Sequence, residues 1–415
     1  MTSTPGEVRG IPLPWGAWYG EGVHSLELPG SWEVVWLAPY GAPALDSDEI
    51  RHALSAPVDS RSPTELAQGA SHAVIAVDDL ARPTPADEVL NPLLDLLADG
   101  GLPSSSVRVV VAVGAHSPPD PRQLAAKLGR RVLAECPVEI HDPHGDLADT
   151  GVPYGDQTLR VNRAFFEAPL KIGISSVLPH PFAGYGGGAK MMLPGLTDLR
   201  STERSHKFVL MGLRGGTDPD QNRFRTEIEE IARRVGFQFT ICCVPNASRE
   251  IAAIYSGDIV AAHRAASRHA ARVYASPVGH EFDCLVINAY PKDLDLLQSQ
   301  GALVSLKTLN RSPVRAGGIV LLTTAASQGG GHHELFGPGG RAHGVPRPMR
   351  EFSDRDLWIY APSLSPETVG LLFHSRVRCF QTPESLLTAL RERLGVAARC
   401  AIVPCGPLQQ LRSVS

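Results

Sequence analysis

Two kinds of hydrophobic spacing alternate along this chain. Runs of consecutive apolar residues, of which Val107–Val113 is the clearest, are typical of strands that are buried on both faces. Segments such as Pro85–Ala98, with four leucines on one face, predict amphipathic helices. The predicted strands of the first series are Trp32–Leu37, Ala73–Val77, Val107–Val113, Val138–His141, Lys171–Val177 and Phe237–Val244, and its helices are Pro85–Ala98, Pro121–Ala134, Ser201–Met211, Thr226–Val235 and Asp258–Tyr274. A second series has strands at Phe282–Asn288 and Gly318–Thr324 and a helix at Leu294–Leu309, and is completed by Leu357–Ala361, Glu384–Leu394 and Arg399–Val403.

This alternation predicts an α/β fold with two domains, each built on a mainly parallel sheet flanked by helices. We place the boundary at "SPVGHE", Ser276–Glu281. Residues 1–275 are then an N-terminal cofactor-binding domain, and residues 276–415 a C-terminal domain. Ligands bind at the carboxyl ends of strands in such sheets, so we expect the active site in the crevice between the domains. The glycine-rich segment Gln328–Met349 shows little periodicity and predicts a long loop.

Composition narrows the class of protein. The net charge of −4 and the pI near 6.4 argue against a general nucleic-acid or membrane-surface binder. No apolar run reaches the ~18 residues that span a bilayer, and the N-terminus lacks the apolar segment of a secretory signal. Seven scattered cysteines without a CxxC pair indicate reduced thiols. We therefore expect a cytoplasmic enzyme that acts on a small molecule.

The stretch "PHPFAGYGGGAK", residues 179–190, carries the first chemical signal. It follows the predicted strand Lys171–Val177, and its glycines would allow backbone N–H groups to approach an anion closely. A phosphate is the natural ligand, although the pattern is neither a Walker A motif nor a dinucleotide fingerprint. The alternative is a flexible loop with an incidental lysine.

Polar side chains also follow three other predicted strands. Each group lies where a parallel strand would deliver it to the same edge of a sheet. They are Asp79 and Arg82 in "VDDLARPTP", His116 in "VAVGAHSPP", and Lys292, Asp293 and Gln298 in "INAYPKDLDLLQ". With His180 and His206, three histidines then surround one predicted crevice. A single histidine near a strand end is more often structural than catalytic. The prediction of an active site therefore depends on finding His116, His180 and His206 together.

Six ordered motifs between about Ile50 and Val403 resemble the nickel-pincer-nucleotide-dependent lactate racemase family. They are "DDLARPTP" at 78–85, "VAVGAHSP" at 111–118, "PHPFAGYGGGAK" at 179–190, "MLPGL" at 192–196, "ERSH" at 203–206 and "YPKDLDLLQ" at 290–298. The family uses a pyridinium mononucleotide joined to a lysine through a thioamide. Its nickel is held by a ring carbon, two sulfurs and a histidine. The resemblance implies dependence on the enzymes that synthesise this nucleotide.

The resemblance also implies roles for individual residues. Lys190 would be the attachment lysine and His206 the nickel ligand, while His116 and His180 would be the catalytic histidines. Gln298 would contact the substrate, with Lys292 close by in sequence. The segment that matches the family's nucleotide contacts is Asp79, Leu80, Ala81 and Arg82, and the glycines expected at the cofactor phosphate are Gly186, Gly187 and Gly188. The implied reaction removes a hydride from the carbon that bears a 2-hydroxy group and returns it on either face.

Several departures from the family lie on the substrate side. Gly301 stands where the lactate racemases carry a lysine that meets the substrate carboxylate. Lys292, Lys307 and Arg311 are nearby in sequence as replacements. Ala81 replaces a threonine, and Trp358 falls in a predicted strand and does not take over the role of a family tryptophan. The tract "GGGHHELFG", with His332, His333 and Glu334, predicts either a solvated surface turn or contacts to a polar substrate.

These observations favour a racemase or epimerase of a 2-hydroxy acid other than lactate. Two alternatives remain open from the sequence. One is another redox or elimination reaction on the same cofactor, which the altered residue at position 301 leaves possible. The other is a nucleotide- or metal-binding protein without catalysis. A conventional zinc hydrolase is disfavoured because the chain has no HExxH motif.

Overall fold

The computed structural model describes residues 7–208, 214–346 and 349–414, without the side chains of Thr308 and Glu351. The chain divides into two compact units. The central unit is Ala42–Val273. The terminal unit combines the chain up to Gly41 with Tyr274–Ser415.

The secondary structure of the described residues follows the chain in this order. The strands are β1 Val8–Trp15, β2 Gly22–Pro29, β3 Glu33–Trp36, β4 Ala73–Asp78, β5 Val107–Ala112, β6 Val138–Ile140, β7 Leu147–Tyr154, β8 Gln157–Asn162, β9 Leu170–Ser176, β10 Pro179–His180, β11 Gly184–Tyr185, β12 Phe239–Pro245, β13 Ile251–Asp258, β14 Ala275–Val278, β15 Phe282–Asn288, β16 Val314–Thr323, β17 Asp356–Tyr360, β18 Arg378–Phe380, β19 Arg399–Val403 and β20 Gln410–Ser413. The helices are α1 Ser47–Ser55, α2 Pro63–Ala67, α3 Ala86–Asp99, α4 Pro121–Glu135, α5 Arg163–Glu167, α6 Leu199–His206, α7 Arg223–Arg234, α8 Ala261–Val273, α9 Leu296–Ser299, α10 Pro366–Gly370 and α11 Pro383–Leu394.

The central unit is built on a six-stranded sheet with the order β13-β12-β9-β4-β5-β6. All neighbours are parallel except β12 and β13. Successive residues of β4 point to opposite faces. Ile75 and Val77 join a core with the leucines of α3, and Val74 joins a second core with Phe165 and Phe224. Burial on both faces explains why these strands are continuous apolar runs. Because the strands are parallel, their carboxyl ends lie at one edge of the sheet.

The terminal unit has a second six-stranded sheet, which is parallel throughout and has the order β18-β17-β16-β15-β19-β3. The antiparallel hairpin β1–β2 contributes Leu13 and Leu28 to a core under this sheet, together with Trp32 and Trp358. The long loop predicted at Gln328–Met349 contains turns over its described residues.

The prediction of an α/β fold with mainly parallel sheets flanked by helices is confirmed. Phe282–Asn288 and Arg399–Val403 are strands with the predicted bounds. The predicted helix Leu294–Leu309 is instead the short helix α9, followed by 3-10 turns over Gln300–Thr308. Part of the predicted helix Ser201–Met211 lies outside the described residues, and its described part belongs to α6.

The predicted division places residues 1–275 in one domain, whereas the described residues up to Gly41 group with the terminal unit. The reason is strand pairing across the sequence: β3 pairs with β19 in parallel, from Glu33↔Arg399 to Trp36↔Ile402. The antiparallel hairpins β1–β2 and β7–β8 were missed as well. Each contains proline in at least one strand, which obscures the pattern of a strand.

Among the described residues, no helix is both long enough and apolar enough to cross a membrane. All seven cysteines are free thiols, and only Cys379 is not fully buried.

Candidate active site

A buried ion pair organises the backbone that follows β4. The Asp78 carboxylate accepts hydrogen bonds from Lys127 Nζ at 2.7 Å, from the Ser176 backbone N–H at 2.9 Å and from the Thr84 hydroxyl at 2.6 Å. The Lys127 side chain is fully buried. One carboxylate therefore ties together the ends of β4 and β9 and helix α4.

Lys127 also fixes the turn at "DDLARPTP". Its ammonium donates to the carbonyls of Asp79 at 3.2 Å and Arg82 at 3.3 Å, and the Arg82 N–H donates to the Asp79 carbonyl at 3.1 Å. Sequence reasoning missed this residue. The available signal was a lysine between Leu124 and Leu128 on the apolar face of α4.

Asp79 and His116 form a hydrogen-bonded pair. His116 Nδ1 lies 2.5 Å from Asp79 Oδ2. Burial by itself would raise the pKa of the Asp79 carboxyl, but the charge and hydrogen bond of His116 outweigh it, with smaller contributions from Arg82 and Lys127, so the pKa lies below its usual value. With a carboxylate at Nδ1, the imidazole carries its proton there and presents Nε2 as the basic nitrogen.

The remaining residues of this segment are mostly packed. Leu80 and Ala81 are buried. The Ala81 carbonyl accepts a hydrogen bond from Arg82 Nη1 at 3.0 Å. The guanidinium of Arg82 is close enough to Asp79 and to His206 to affect the pKa of both.

The glycine stretch is folded against the protein and not open to an anion. The Gly186 N–H donates to the Leu178 carbonyl at 2.8 Å, and the Gly188 N–H donates to Ser175 Oγ at 3.2 Å. A Cβ at Gly187, where φ is +74°, would lie 2.8 Å from Ser175 Oγ. A Cβ at Gly188 would lie 3.0 Å from the His263 ring. These contacts favour close packing over phosphate binding as the reason for Gly186, Gly187 and Gly188.

Lys190 lies in a short 3-10 turn, Gly188–Met191, that follows the glycines. Only 9% of the residue is exposed. Its Nζ lies 5.4 Å from the ring centroids of both Phe182 and Phe224, a distance at which aromatic faces attract an ammonium group. The Phe182 and Phe224 rings pack against each other at 5.1 Å between centroids, so the amine lies beside this pair and largely away from water.

Phe182 brings two histidines to the same place. Its ring packs edge to face against His180 at 4.7 Å and against His206 at 5.5 Å between centroids. His180 Nδ1 accepts a hydrogen bond from the Ala183 N–H at 3.4 Å, so the proton of the neutral ring lies at Nε2. His180, Lys190 and His206 thus surround a single phenylalanine.

His206 is held as a neutral imidazole. Its Nδ1 donates to the Thr202 carbonyl at 2.8 Å, which leaves the lone pair of the neutral ring at Nε2. Burial, together with the neighbouring Lys190, His116 and Arg82 side chains, lowers the pKa of His206 to about 3. These three side chains are therefore near enough to the His206 ring to act on its charge.

The predicted substrate residues lie in the terminal unit. Lys292 is buried, and Gln298 is half-buried in α9. A Cβ added at Gly301 would lie 3.9 Å from Lys292 Cδ, so the Lys292 side chain runs past this glycine. The Asp293 carboxylate accepts the backbone N–H groups of Gly16 at 2.8 Å and Ala17 at 3.1 Å, which is a structural role.

The two histidines of the long loop have different environments. His332 is exposed, whereas His333 is buried and accepts the N–H groups of Leu335 at 3.1 Å and Phe336 at 3.3 Å at its Nδ1. His333 therefore organises a turn. Trp358 is buried in β17, as its predicted strand position implies.

Within 7–208, 214–346 and 349–414, no group of three or more His, Cys, Asp or Glu side chains is arranged to hold a metal ion. The protein has an α/β fold, and its grouped histidines, lysine and carboxylate are residue types typical of an enzyme active site.

Comparison with known proteins identifies the kind of enzyme. Residues 19–217 match the family model described as the lactate racemase N-terminal domain. The lactate racemase of Lactiplantibacillus plantarum is 24% identical over 293 residues, which cover 68% of this chain and 67% of that protein. The lactate racemase of Thermoanaerobacterium thermosaccharolyticum is 24% identical over 284 residues, or 66% of this chain and 65% of that protein. Each alignment spans about two thirds of the relative.

Solved structures agree on the fold. The lactate racemase apoprotein from T. thermosaccharolyticum superposes with a TM-score of 0.75 at 19% identity, over 97% of this chain and 100% of that chain. A protein from Thermotoga maritima gives a TM-score of 0.64 at 16% identity, over 90% and 100% of the two chains. The match to the lactate racemase N-terminal domain covers just under half of this chain, and the curated relatives that the chain resembles are racemases, a class of isomerase.

Proposed function

We propose that this protein is a racemase or epimerase of a 2-hydroxy acid. Its cofactor would be the nickel-pincer nucleotide, the nickel complex of pyridinium-3,5-bisthiocarboxylic acid mononucleotide, attached at Lys190. The observation that carries the proposal is the grouping of His180, Lys190 and His206 around Phe182, with the charge of His116 near His206.

The residues present fit this cofactor. The Lys190 amine is largely buried beside two aromatic rings, and a lysine nitrogen is the nucleophile that covalent attachment requires once it is in its neutral form. His206 offers a neutral imidazole whose lone pair lies at Nε2, and imidazole is a good ligand for nickel. His206 would supply one protein ligand, and the nucleotide would bring its ring carbon and two sulfurs.

When bound, the cofactor would accept a hydride from the substrate carbon and return it. The protein must then move a proton at the 2-hydroxyl. His116, whose Nδ1–H is held by the Asp79 carboxylate, has Nε2 available in the protonation state that accepts this proton. Asp79 stabilises the imidazolium that forms, because its low pKa keeps it charged.

A second histidine is needed because the keto acid can be reduced on either face. His180 has the opposite tautomer from His116, with its proton at Nε2. In one direction His116, as a neutral base, would take the hydroxyl proton, and His180, in its imidazolium form, would give a proton to the keto oxygen when the hydride returns on the opposite face. In the reverse direction the roles exchange. Two histidines in complementary states therefore suit an enzyme that inverts a centre.

Lys292 is our candidate for the substrate carboxylate, with Gln298 as a further contact. Its stem passes Gly301, the position at which the resemblance implies a lysine in lactate racemases. The Lys292 ammonium would then take the place of the lysine at position 301 as the partner of the substrate carboxylate, although its side chain starts from a different point on the backbone. This change favours a substrate other than lactate, such as a larger hydroxy acid with additional hydroxyl groups.

The proposal is tested by intact-mass analysis of protein that is produced together with the enzymes that synthesise the nucleotide. Wild type should carry a covalent adduct, and Lys190→Ala should carry none. His206→Ala should keep the adduct but retain less nickel, because only its metal ligand is lost. Unmodified wild-type protein with full activity would refute the attachment.

The reaction itself is tested with loaded protein in deuterium oxide. Optical rotation should decay for a hydroxy-acid substrate, with the hydrogen at the hydroxyl-bearing carbon retained, because a hydride moves and does not exchange with solvent. Loss of water from the substrate or a stable keto acid would indicate elimination or net oxidation instead. An adduct without any turnover would favour a binding protein.

A further inference from the structure

Three consecutive carbonyls that precede Lys190 are bound from outside the loop. The Tyr185 and Gly187 carbonyls accept hydrogen bonds from the two terminal nitrogens of Arg225, at 2.9 Å for Gly187. The Gly186 carbonyl accepts one from His263 Nε2 at 2.9 Å. Every peptide group from Tyr185 to Gly187 is therefore oriented by a side chain from α7 or α8.

Both donors are fully buried. Arg225 is a cation in the core, and desolvation lowers its pKa to about 10, which still leaves it charged near neutral pH. The nearest charge to its Nε is Glu229 Oε1 at 3.8 Å, and Glu229 is itself held by two bonds of 2.7 and 2.8 Å from Arg264. A buried arginine that donates to two loop carbonyls and not directly to a carboxylate is costly unless the loop geometry depends on it.

His263 is a neutral donor. Its ring faces Gly188, where a Cβ would lie 3.0 Å away, and burial holds its pKa well below the ordinary value. Its Nε2 must carry the proton, because a carbonyl can only accept. The histidine thus fits the space that the absent side chain of Gly188 leaves.

The contacts continue directly to Lys190. The Gly187 carbonyl that Arg225 binds also accepts the Lys190 N–H at 3.3 Å, and the Lys190 carbonyl accepts the Gly195 N–H at 3.3 Å. On the other side of the loop, Asn222 Nδ2 donates to the carbonyl of Phe182, whose ring lies near the Lys190 amine. Helix α7 consequently holds both the backbone and the aromatic surroundings of Lys190.

We propose that Arg225 and His263 are positioning residues that hold the Tyr185–Gly187 backbone so that the Lys190 amine is presented, shielded, at the attachment point. The inference rests on the proposed attachment at Lys190 for its function. Its geometric part, the shielded presentation of this amine, can be measured without the cofactor. A displacement of about 1 Å at a reacting group costs on the order of 100-fold in rate, so adduct formation should depend steeply on these bonds.

The first measurement is labelling of cofactor-free protein with acetic anhydride at a fixed pH, followed by peptide mass spectrometry. Arg225→Met should raise labelling of Lys190 about tenfold or more, as released peptide groups let the amine reach solvent. Lys127 and Lys171 are buried elsewhere in the same unit and should keep their wild-type labelling. Arg233→Met, which removes an exposed arginine from the same helix, is the matched control and should change nothing.

The second measurement is the rate at which Lys190 gains its adduct in the presence of the cofactor-synthesis enzymes. His263→Leu should slow it on the order of 100-fold, and His263→Gln, whose amide can still donate to the Gly186 carbonyl, should recover most of the rate. Arg225→Lys, with one ammonium for two carbonyls, should fall between Arg225→Met and wild type. This graded rescue would not arise from a loss of fold alone.

Two results would overturn the inference. One is equal labelling of Lys127, Lys171 and Lys190 in Arg225→Met and His263→Leu, which indicates general loosening. The other is an unchanged Lys190 in both variants while the fold is kept. If labelling follows the prediction but wild-type protein takes up no adduct, the positioning stands and the proposed attachment fails.

Discussion

At the scale of single residues, Asp79 determines what His116 can do. The short bond to Nδ1 selects the tautomer that presents Nε2, and the pKa of Asp79 lies below its usual value, so this carboxyl stays charged. Asp79→Asn keeps the size but removes the charge, so we expect turnover to fall by about 100-fold or more, as for loss of a positioned base. A pre-steady-state assay of loaded protein checks this, with the Lys190 adduct measured to show that loading is unaffected.

The same carboxylate should contribute to stability in a pH-dependent way. Its pKa is lower in the folded protein than the ~3.9 of an unfolded aspartate, so its contribution is present above about pH 4 and is lost as the pH falls through the folded pKa. The difference in free energy of unfolding between wild type and Asp79→Asn should therefore be largest near neutral pH and shrink below about pH 4. Asp95→Asn, at an exposed pair with Arg131, is a control that should show little such difference. A difference that grows in acid would contradict the assignment.

We expect Lys292 and Gly301 to determine which hydroxy acid the protein prefers. Losing an ammonium–carboxylate contact costs ~2–4 kcal/mol when the contact is desolvated, or roughly 30- to 1000-fold in apparent affinity. Lys292→Met should raise KM for every hydroxy acid by about this factor, while Gly301→Lys should favour lactate over larger acids. KM and kcat for lactate, malate and several sugar acids measure both effects. Wild-type protein that prefers lactate by a wide margin would contradict the proposal, as would no change in either variant.

At the scale of elements, helix α4 is joined to the ends of β4 and β9 by one buried lysine. Lys127→Met removes the ammonium and leaves the Asp78 carboxylate buried without its partner, which we expect to cost about 3–5 kcal/mol in free energy of unfolding. Chemical denaturation measures this cost. Arg131→Met on the same helix removes partly exposed ion pairs with Asp95 and Glu135 and a 3.3 Å hydrogen bond to the Asn91 carbonyl, and should cost about 1 kcal/mol, well below the loss in Lys127→Met. Adding Asp78→Asn to Lys127→Met should recover part of the loss, since no buried charge then remains unpaired; the absence of any recovery would argue against this pairing.

At the scale of the whole molecule, the chain crosses from the terminal unit into the central unit and returns. Trp32 is 2% exposed and lies in the core of the terminal unit, so Trp32→Ala should destabilise that unit by about 3–5 kcal/mol. Hydrogen exchange should then rise in β15 and β19 and remain unchanged in β4 and β9. Phe239→Ala, in the core of the central unit, is the converse control. Faster exchange in β4 upon Trp32→Ala would contradict the division.

The sequence alone determined the fold class and the strands that are buried on both faces, since a continuous apolar run such as Phe282–Asn288 has few other stable environments. Through the family resemblance it also predicts the site residues, since the ordered motifs that carry the resemblance are read directly from residue types and their spacing. Only the tertiary structure decided that Glu33–Trp36 pairs with a strand more than 360 residues later in the chain. It alone revealed that Lys127, Arg225 and His263 donate hydrogen bonds to the backbone of the candidate site, and that a Cβ at Gly187 or Gly188 would crowd Ser175 or His263. These roles depend on hydrogen bonds to main-chain groups of distant segments, and main-chain groups are the same in every residue, so no spacing of side chains in the sequence records them.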